Sequence, residues 1–272
     1  MKLFAVVGAV AAVAAAPMTL PLGDGHVSTS AATRGSVYIC PAGPGGGAGG
    51  GAQVDGPWIH GSTFEPGAKP TVSGHVLWAN ARISFTHVNG RLRVVGNGLP
   101  KRSPTGVFPI EDGTTAFQYD RNPNSIEAQS IDWLLPNPRA ASKPGCLTGG
   151  PIGIAVNGVP IFDALDALNR DAVAHEMQDA CGGHPQAQGM YHYHSIDVTG
   201  SCLPRTGLVG YALDGYPIYG PYKANGKPWT DAELDACHGH VVKGSYRYQA
   251  TLEYPYTLGC FHGTPLRLQQ RP

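Results

Sequence analysis

Ile152-Gly153-Ile154-Ala155-Val156-Asn157-Gly158-Val159-Pro160-Ile161-Phe162 is followed, 57 residues on, by Val209-Gly210-Tyr211-Ala212-Leu213-Asp214-Gly215-Tyr216-Pro217-Ile218-Tyr219. The echo continues outward. Asp179-Ala180-Cys181-Gly182-Gly183-His184 returns as Asp235-Ala236-Cys237-His238-Gly239-His240 at an offset of 56. Tyr191-His192-Tyr193-His194 returns as Tyr246-Arg247-Tyr248-Gln249 at 55, and Cys202 as Cys260 at 58. Near-constant offsets over four landmarks predict a tandem duplication of one disulfide-bearing unit of 57 residues or so, with half-units 152–202 and 209–260. What recurs is expected to be framework. What differs, imidazoles in the first unit against Arg247 and Gln249 in the second, is where chemistry is expected.

The rest of the chain sets the context. Lys2 and the uncharged stretch Leu3 to Ala16 have the build of a secretory signal peptide, so residues 1–16 are read as a leader and the protein as secreted, periplasmic or extracellular. That stretch is shorter than the ~20 apolar residues of a membrane helix, and no other segment qualifies, so no integral membrane segment is expected in the mature chain. Residues 17–52 read as the mature N-terminus and a glycine-rich linker, 53–148 as an N-terminal β region, and 149–263 as the repeat-bearing domain. Six cysteines suit an oxidising compartment. The repeat pairs Cys181 with Cys202 and Cys237 with Cys260, leaving Cys40 for Cys146; pairs swapped between the units respect the same symmetry. No two cysteines have the short spacing of a thiolate zinc site. With 19 basic and 19 acidic residues and no basic stripe, nucleic acid is not expected as a partner.

Glycine (38) and proline (24) are abundant, which suits short strands and tight turns. The fold class is therefore mainly β: a disulfide-stapled, sandwich-like or meander architecture with one short helix. Val72, 75–78, 83–86 and 92–95 read as strands, separated by Asn80-Ala81, Asn89-Gly90 and Asn97-Gly98, and leading on to Trp133-Leu134-Leu135. Asp120-Arg121-Asn122-Pro123-Asn124-Ser125 begins like a calcium loop but lacks the glycine and glutamate that would complete one, so it reads as a side-chain-bonded turn. The helix is expected from Asp163 or Asp171 to Ala180, stopped by Gly182-Gly183. On it, His175, Glu176 and Asp179 form a His-Glu-x-x-Asp pattern, a weaker metal candidate.

Period two places His192 and His194 on one strand face and Tyr191 and Tyr193 on the other. Two imidazoles side by side make half a zinc or copper site. The Cys181–Cys202 closure brings up His184 as a third ligand. If the units pack about a twofold axis, His240 or His238 supplies a fourth, with Asp179 and Asp235 donating oxygens or orienting rings. Alternatively, His184 and His240, present in both units, simply bond backbone carbonyls. No Gly-x-Ser-x-Gly elbow or free thiol competes as a nucleophile.

Residues 150–263 resemble the YHYH domain family. The resemblance rests on Tyr191-His192-Tyr193-His194, Cys181-Gly182-Gly183-His184, the run Gly210 to Gly220, Pro255-Tyr256 and Gly259-Cys260. It implies an extracytoplasmic protein and no particular activity. Two functional expectations follow from the residues. One is a secreted metal-binding protein carrying zinc or copper on its histidine cluster, as a zinc-dependent hydrolase or a copper protein. The other is a non-catalytic binding module that presents Tyr211, Tyr216, Tyr219, Tyr222 and Trp229 to a glycan or a protein.

Overall fold

In the computed structural model, which describes residues 18–41, 55–196 and 199–268, Asn89-Gly90 reverses the chain with both residues at positive φ (50° and 77°). That is the backbone a two-residue hairpin requires. Ile83–Val88 and Arg91–Gly96 pair across it, and Ile131–Leu134 adds to Arg91–Gly96 as the third strand of an antiparallel meander. The leader at 1–16 and most of the glycine-rich run lie outside the described residues. The expected strand at 72–78 reduces to two isolated bridges, Val72 to Asp179 and Val76 to Thr105.

The main element is an eight-stranded sheet. Its order is Gly183–Pro185, Tyr191–Tyr193, Pro160–Phe162, Pro151–Ala155, Leu208–Ala212, Pro217–Tyr219, Ser245–Gln249, Gly239–Val242. The order reads the same from either edge. Each half has an antiparallel pair broken by the same register shift, between Pro151 and Gly153 in one and Leu208 and Gly210 in the other. Each then has a parallel pair, Ile161 opposite Tyr193 and Ile218 opposite Tyr248. Each ends in an antiparallel edge, His184 opposite His192 and His240 opposite Arg247. The halves meet where Pro151–Ala155 pairs with Leu208–Ala212, with Ile154 opposite Tyr211.

The recurring residues hold this frame. Asp179 Oδ1 accepts from the amides of Cys181 and Gly183, and both its oxygens accept from the Tyr191 hydroxyl. Asp235 does the same for Cys237, Gly239 and Tyr246. The turns tie to the next tyrosine inward: Asn157 Nδ2 donates to the Tyr193 hydroxyl at 2.9 Å, and the Tyr248 hydroxyl donates to Asp214 at 2.5 Å. Cys181–Cys202, Cys237–Cys260 and Cys40–Cys146 are bonded, and no pair is swapped between halves.

One apolar core joins Ile154, Ile161, Val209 and Ile218 of the sheet to Val94, Ile131 and Leu135 of the meander and to Val37 and Leu147. Each such aliphatic side chain contributes about 1.5–3 kcal/mol relative to exposure. Two short helices are present rather than one: Thr115–Tyr119 and Ala172–His175. The second starts where expected, because Asp171 accepts from the amides of Val173 and Ala174. It stops four residues later instead of running to Ala180. Gln178 Nε2 caps the Ala172 carbonyl at 2.8 Å, and Lys69 Nζ takes the Glu176 carbonyl at 2.5 Å. Glu176 itself is in extended conformation (φ −92°, ψ 147°). The Asp120 segment is a turn as expected, with Asp120 and Asn122 side chains each accepting from the amide two residues on.

Candidate metal centre

Three histidines of the first half meet at one edge of the sheet. Strand pairing sets His184 beside His192, and the chain brings His194 onto the same face immediately after Tyr193. Their ligand nitrogens lie within 4.8 Å of one another. All three residues are sealed from solvent, at 4%, 3% and 3% exposure. Phe162 roofs the group, stacking on the His192 ring at 3.9 Å and meeting His194 edge-on at 6.1 Å.

The outer nitrogens fix how the rings face. His192 Nδ1 lies 3.0 Å from the Met190 carbonyl and His194 Nδ1 lies 2.5 Å from the Asp163 carbonyl. A carbonyl only accepts, so each Nδ1 carries the proton and each Nε2 presents its lone pair inward. Those two Nε2 atoms stand 3.1 Å apart. Two lone pairs at that distance repel unless a proton or a cation sits between them.

A carboxylate approaches two of the three rings. Because the helix ends before it, Glu176 turns into the core (5% exposed), and its Oε2 comes within 3.2 Å of His184 Nε2 and 3.3 Å of His194 Nε2. Neither Glu176 Oε2 nor His184 Nε2 has a partner in hydrogen-bonding geometry, and His184 Nδ1 is also unpartnered. Buried polar atoms left unpaired are rare and demand an explanation. His192 and His194 Nε2 are 3.1 Å apart and Glu176 Oε2 is 3.2 and 3.3 Å from His184 and His194, while the three imidazoles alone form the group whose ligand atoms all lie within 4.8 Å of one another. The donor set, three imidazole nitrogens and one carboxylate oxygen, suits zinc or another borderline transition ion.

The electrostatics follow from this crowding. Burial alone would raise Glu176, but the imidazoles of His184 and His194 hold its carboxyl well below the usual range. Burial, reinforced by the other two rings, holds His192 well below the ordinary imidazole value. His194 is raised despite burial, because Glu176 and Asp163 favour its protonated form. The Asp163 carboxyl is pushed up to about 6 by burial.

The remaining expected ligands lie elsewhere. The two halves sit side by side in one sheet, so their equivalent edges point away from each other. His240 is on the opposite edge, where its Nε2 accepts from Arg247 Nε at 3.1 Å and its ring meets Trp229 edge-on. His238 is buried between Asp231 and Thr251, at 3.2 and 3.0 Å. That chain resembles a nucleophile relay, but Thr251 donates its hydroxyl to the Glu253 carbonyl and is sealed in the core. His175 turns outward from the centre, its ring nitrogens facing Asp24 and Asp55 at 2.9 and 3.0 Å. Asp179 and Asp235 spend their oxygens on the cysteine loops described above. Glu176, the weaker sequence candidate, is the acidic residue that arrives; Phe162 and the Asp163 carbonyl were not foreseen at all.

The family model described as YHYH protein matches residues 133–229, a span that contains Glu176, His184, His192 and His194, so the resemblance read from the motif holds over that stretch. No curated protein and no solved structure matches the chain.

Proposed function

We propose that this chain is a secreted metal-binding protein whose His184, His192, His194 and Glu176 hold one zinc ion. The observation that carries this reading is the convergence of three buried imidazoles within 4.8 Å of one another, with an unpaired carboxylate oxygen 3.2 and 3.3 Å from two of them. The three disulfides suit an oxidising compartment, and no helix among the described residues is long and apolar enough to cross a membrane.

Zinc fits better than copper, because three clustered imidazoles with a carboxylate near two of them suit an ion without geometric preference, whereas Cu(II) favours tetragonal sites. The site is closed. All four side chains are buried, at 3–5% exposure. A closed four-ligand zinc site ties elements together and stabilises the fold; a hydrolytic one keeps a position open for water. Closure therefore favours a stabilising ion over a hydrolase. The ion would join the Gly183–Pro185 strand, the Tyr191–Tyr193 strand and the segment after the Ala172–His175 helix.

The test is metal analysis of protein made without a histidine tag and incubated with zinc and with copper. About one equivalent of zinc, retained through desalting, supports the reading. Substoichiometric metal of either kind would overturn it, and tighter retention of copper with a tetragonal spectrum would replace zinc as the ion.

A further inference from the structure

The second half of the sheet has a different side-chain set where the first has its histidines. Arg247 and Gln249 stand in the register of His192 and His194, and Tyr219 in that of Phe162. The aromatic roof recurs: the Arg247 guanidinium lies over the Tyr219 ring at 4.2 Å. Here, however, the position opens into a cavity of about 260 Å³, whose walls include Tyr219, Tyr222, Trp229, Arg247 and Gln249.

Its polar groups are unevenly satisfied. Lys223, also on the wall, is neutralised by Glu233 at 2.6 Å. Arg247 spends only its Nε, on His240, and no carboxylate among the described residues pairs with it. Burial and the Arg247 charge hold His240 below its ordinary value, and a second guanidinium, that of Arg205, lies 4.0 Å over the ring of the wall residue Tyr222. Gln249 is 1% exposed, and its Nε2 donates to the Gly220 carbonyl. An arginine fork without an anion and aromatic walls stand around one space.

We propose that this cavity binds a one-ring sugar acid. The carboxylate is taken by the Arg247 fork, and the C–H face of the ring lies against Trp229 or Tyr222. The volume, just below the ~300 Å³ lower end of small-molecule sites, limits the occupant to about one ring. The neutral hexose lacks the anion for Arg247, and inorganic phosphate lacks the ring. The site is separate from the histidine centre, at the other end of the sheet, and does not depend on whether that centre holds metal.

The experiment is calorimetric titration of the full chain with D-glucuronate, D-glucose and inorganic phosphate. Glucuronate is expected to bind, with glucose weaker by about tenfold or more, as is typical for loss of a charge-assisted contact. Arg247→Gln is expected to weaken glucuronate by a similar factor. Arg247→Lys, which keeps the charge and the stem over Tyr219 but loses the fork, is expected to fall between, and carries the test if the Gln variant unfolds. The proposal is overturned if glucuronate does not bind, if glucose or phosphate binds as well as it does, or if both Arg247 variants retain full affinity.

Discussion

Replacing Glu176 by Gln isolates the charge of the fourth donor while keeping its volume. In the wild type, Glu176 Oε2 sits 3.2 and 3.3 Å from two imidazole nitrogens and has no hydrogen-bond partner, so the carboxylate is free to bind an ion. Loss of groups that merely orient a ligand costs ~10–100-fold in affinity, so loss of the ligand itself should cost at least ~100-fold, about 2.7 kcal/mol. With free zinc clamped at ~1,000 times the wild-type dissociation constant, binding stabilises the wild type by about 4.1 kcal/mol and the variant by about 1.4 kcal/mol. For a chain of this size each kcal/mol moves the melting temperature by about 2–4 °C, so the zinc-induced shift should be about 5–11 °C smaller in the variant. Scanning calorimetry in chelator-buffered zinc reads this directly. Equal shifts in the two proteins would show that Glu176 is not a ligand, whatever its position in the core.

Other consequences separate the two halves of the sheet. His240→Ala should leave zinc stoichiometry at about one and cost about 1 kcal/mol by denaturant unfolding, since it loses one hydrogen bond with Arg247. Cys181→Ser/Cys202→Ser and Cys237→Ser/Cys260→Ser, which open loops of separation 21 and 23, should each cost about 3 kcal/mol. Only the first pair should also weaken zinc, because its loop leads into His184; equal zinc affinity in both would contradict this. Tyr193→Phe should cost about 1 kcal/mol, because Asn157 is neutral, whereas Tyr248→Phe should cost about 1.5–3 kcal/mol, because it strips a charge-assisted bond from the buried Asp214. Chemical denaturation of the two variants tests that order.

The repeat in the sequence made much of the frame legible. The strand pairings and both cysteine loops recur with the same registers, and Asn89-Gly90 turns as its residue types require. The triad was also legible, because strand alternation and the Cys181–Cys202 loop are local. Two features depended on distant contacts. Lys69, over 100 residues away, takes the Glu176 carbonyl and helps end the helix, which swings Glu176 inward rather than leaving it beside His175. The placement of His240 turned on the sense of the symmetry. Halves stacked face to face would bring equivalent edges together, but halves joined through Pro151–Ala155 and Leu208–Ala212 put them at opposite ends. Offsets along a chain do not distinguish those two arrangements.

The histidine centre is tested most directly by anomalous diffraction at the zinc edge from crystals of the zinc-loaded protein. The predicted result is a single strong peak bonded at ~2.0–2.1 Å to Nε2 of His184, His192 and His194 and to a carboxylate oxygen of Glu176. A peak at His238, His240 or His175 instead, or none between the three rings, would contradict it.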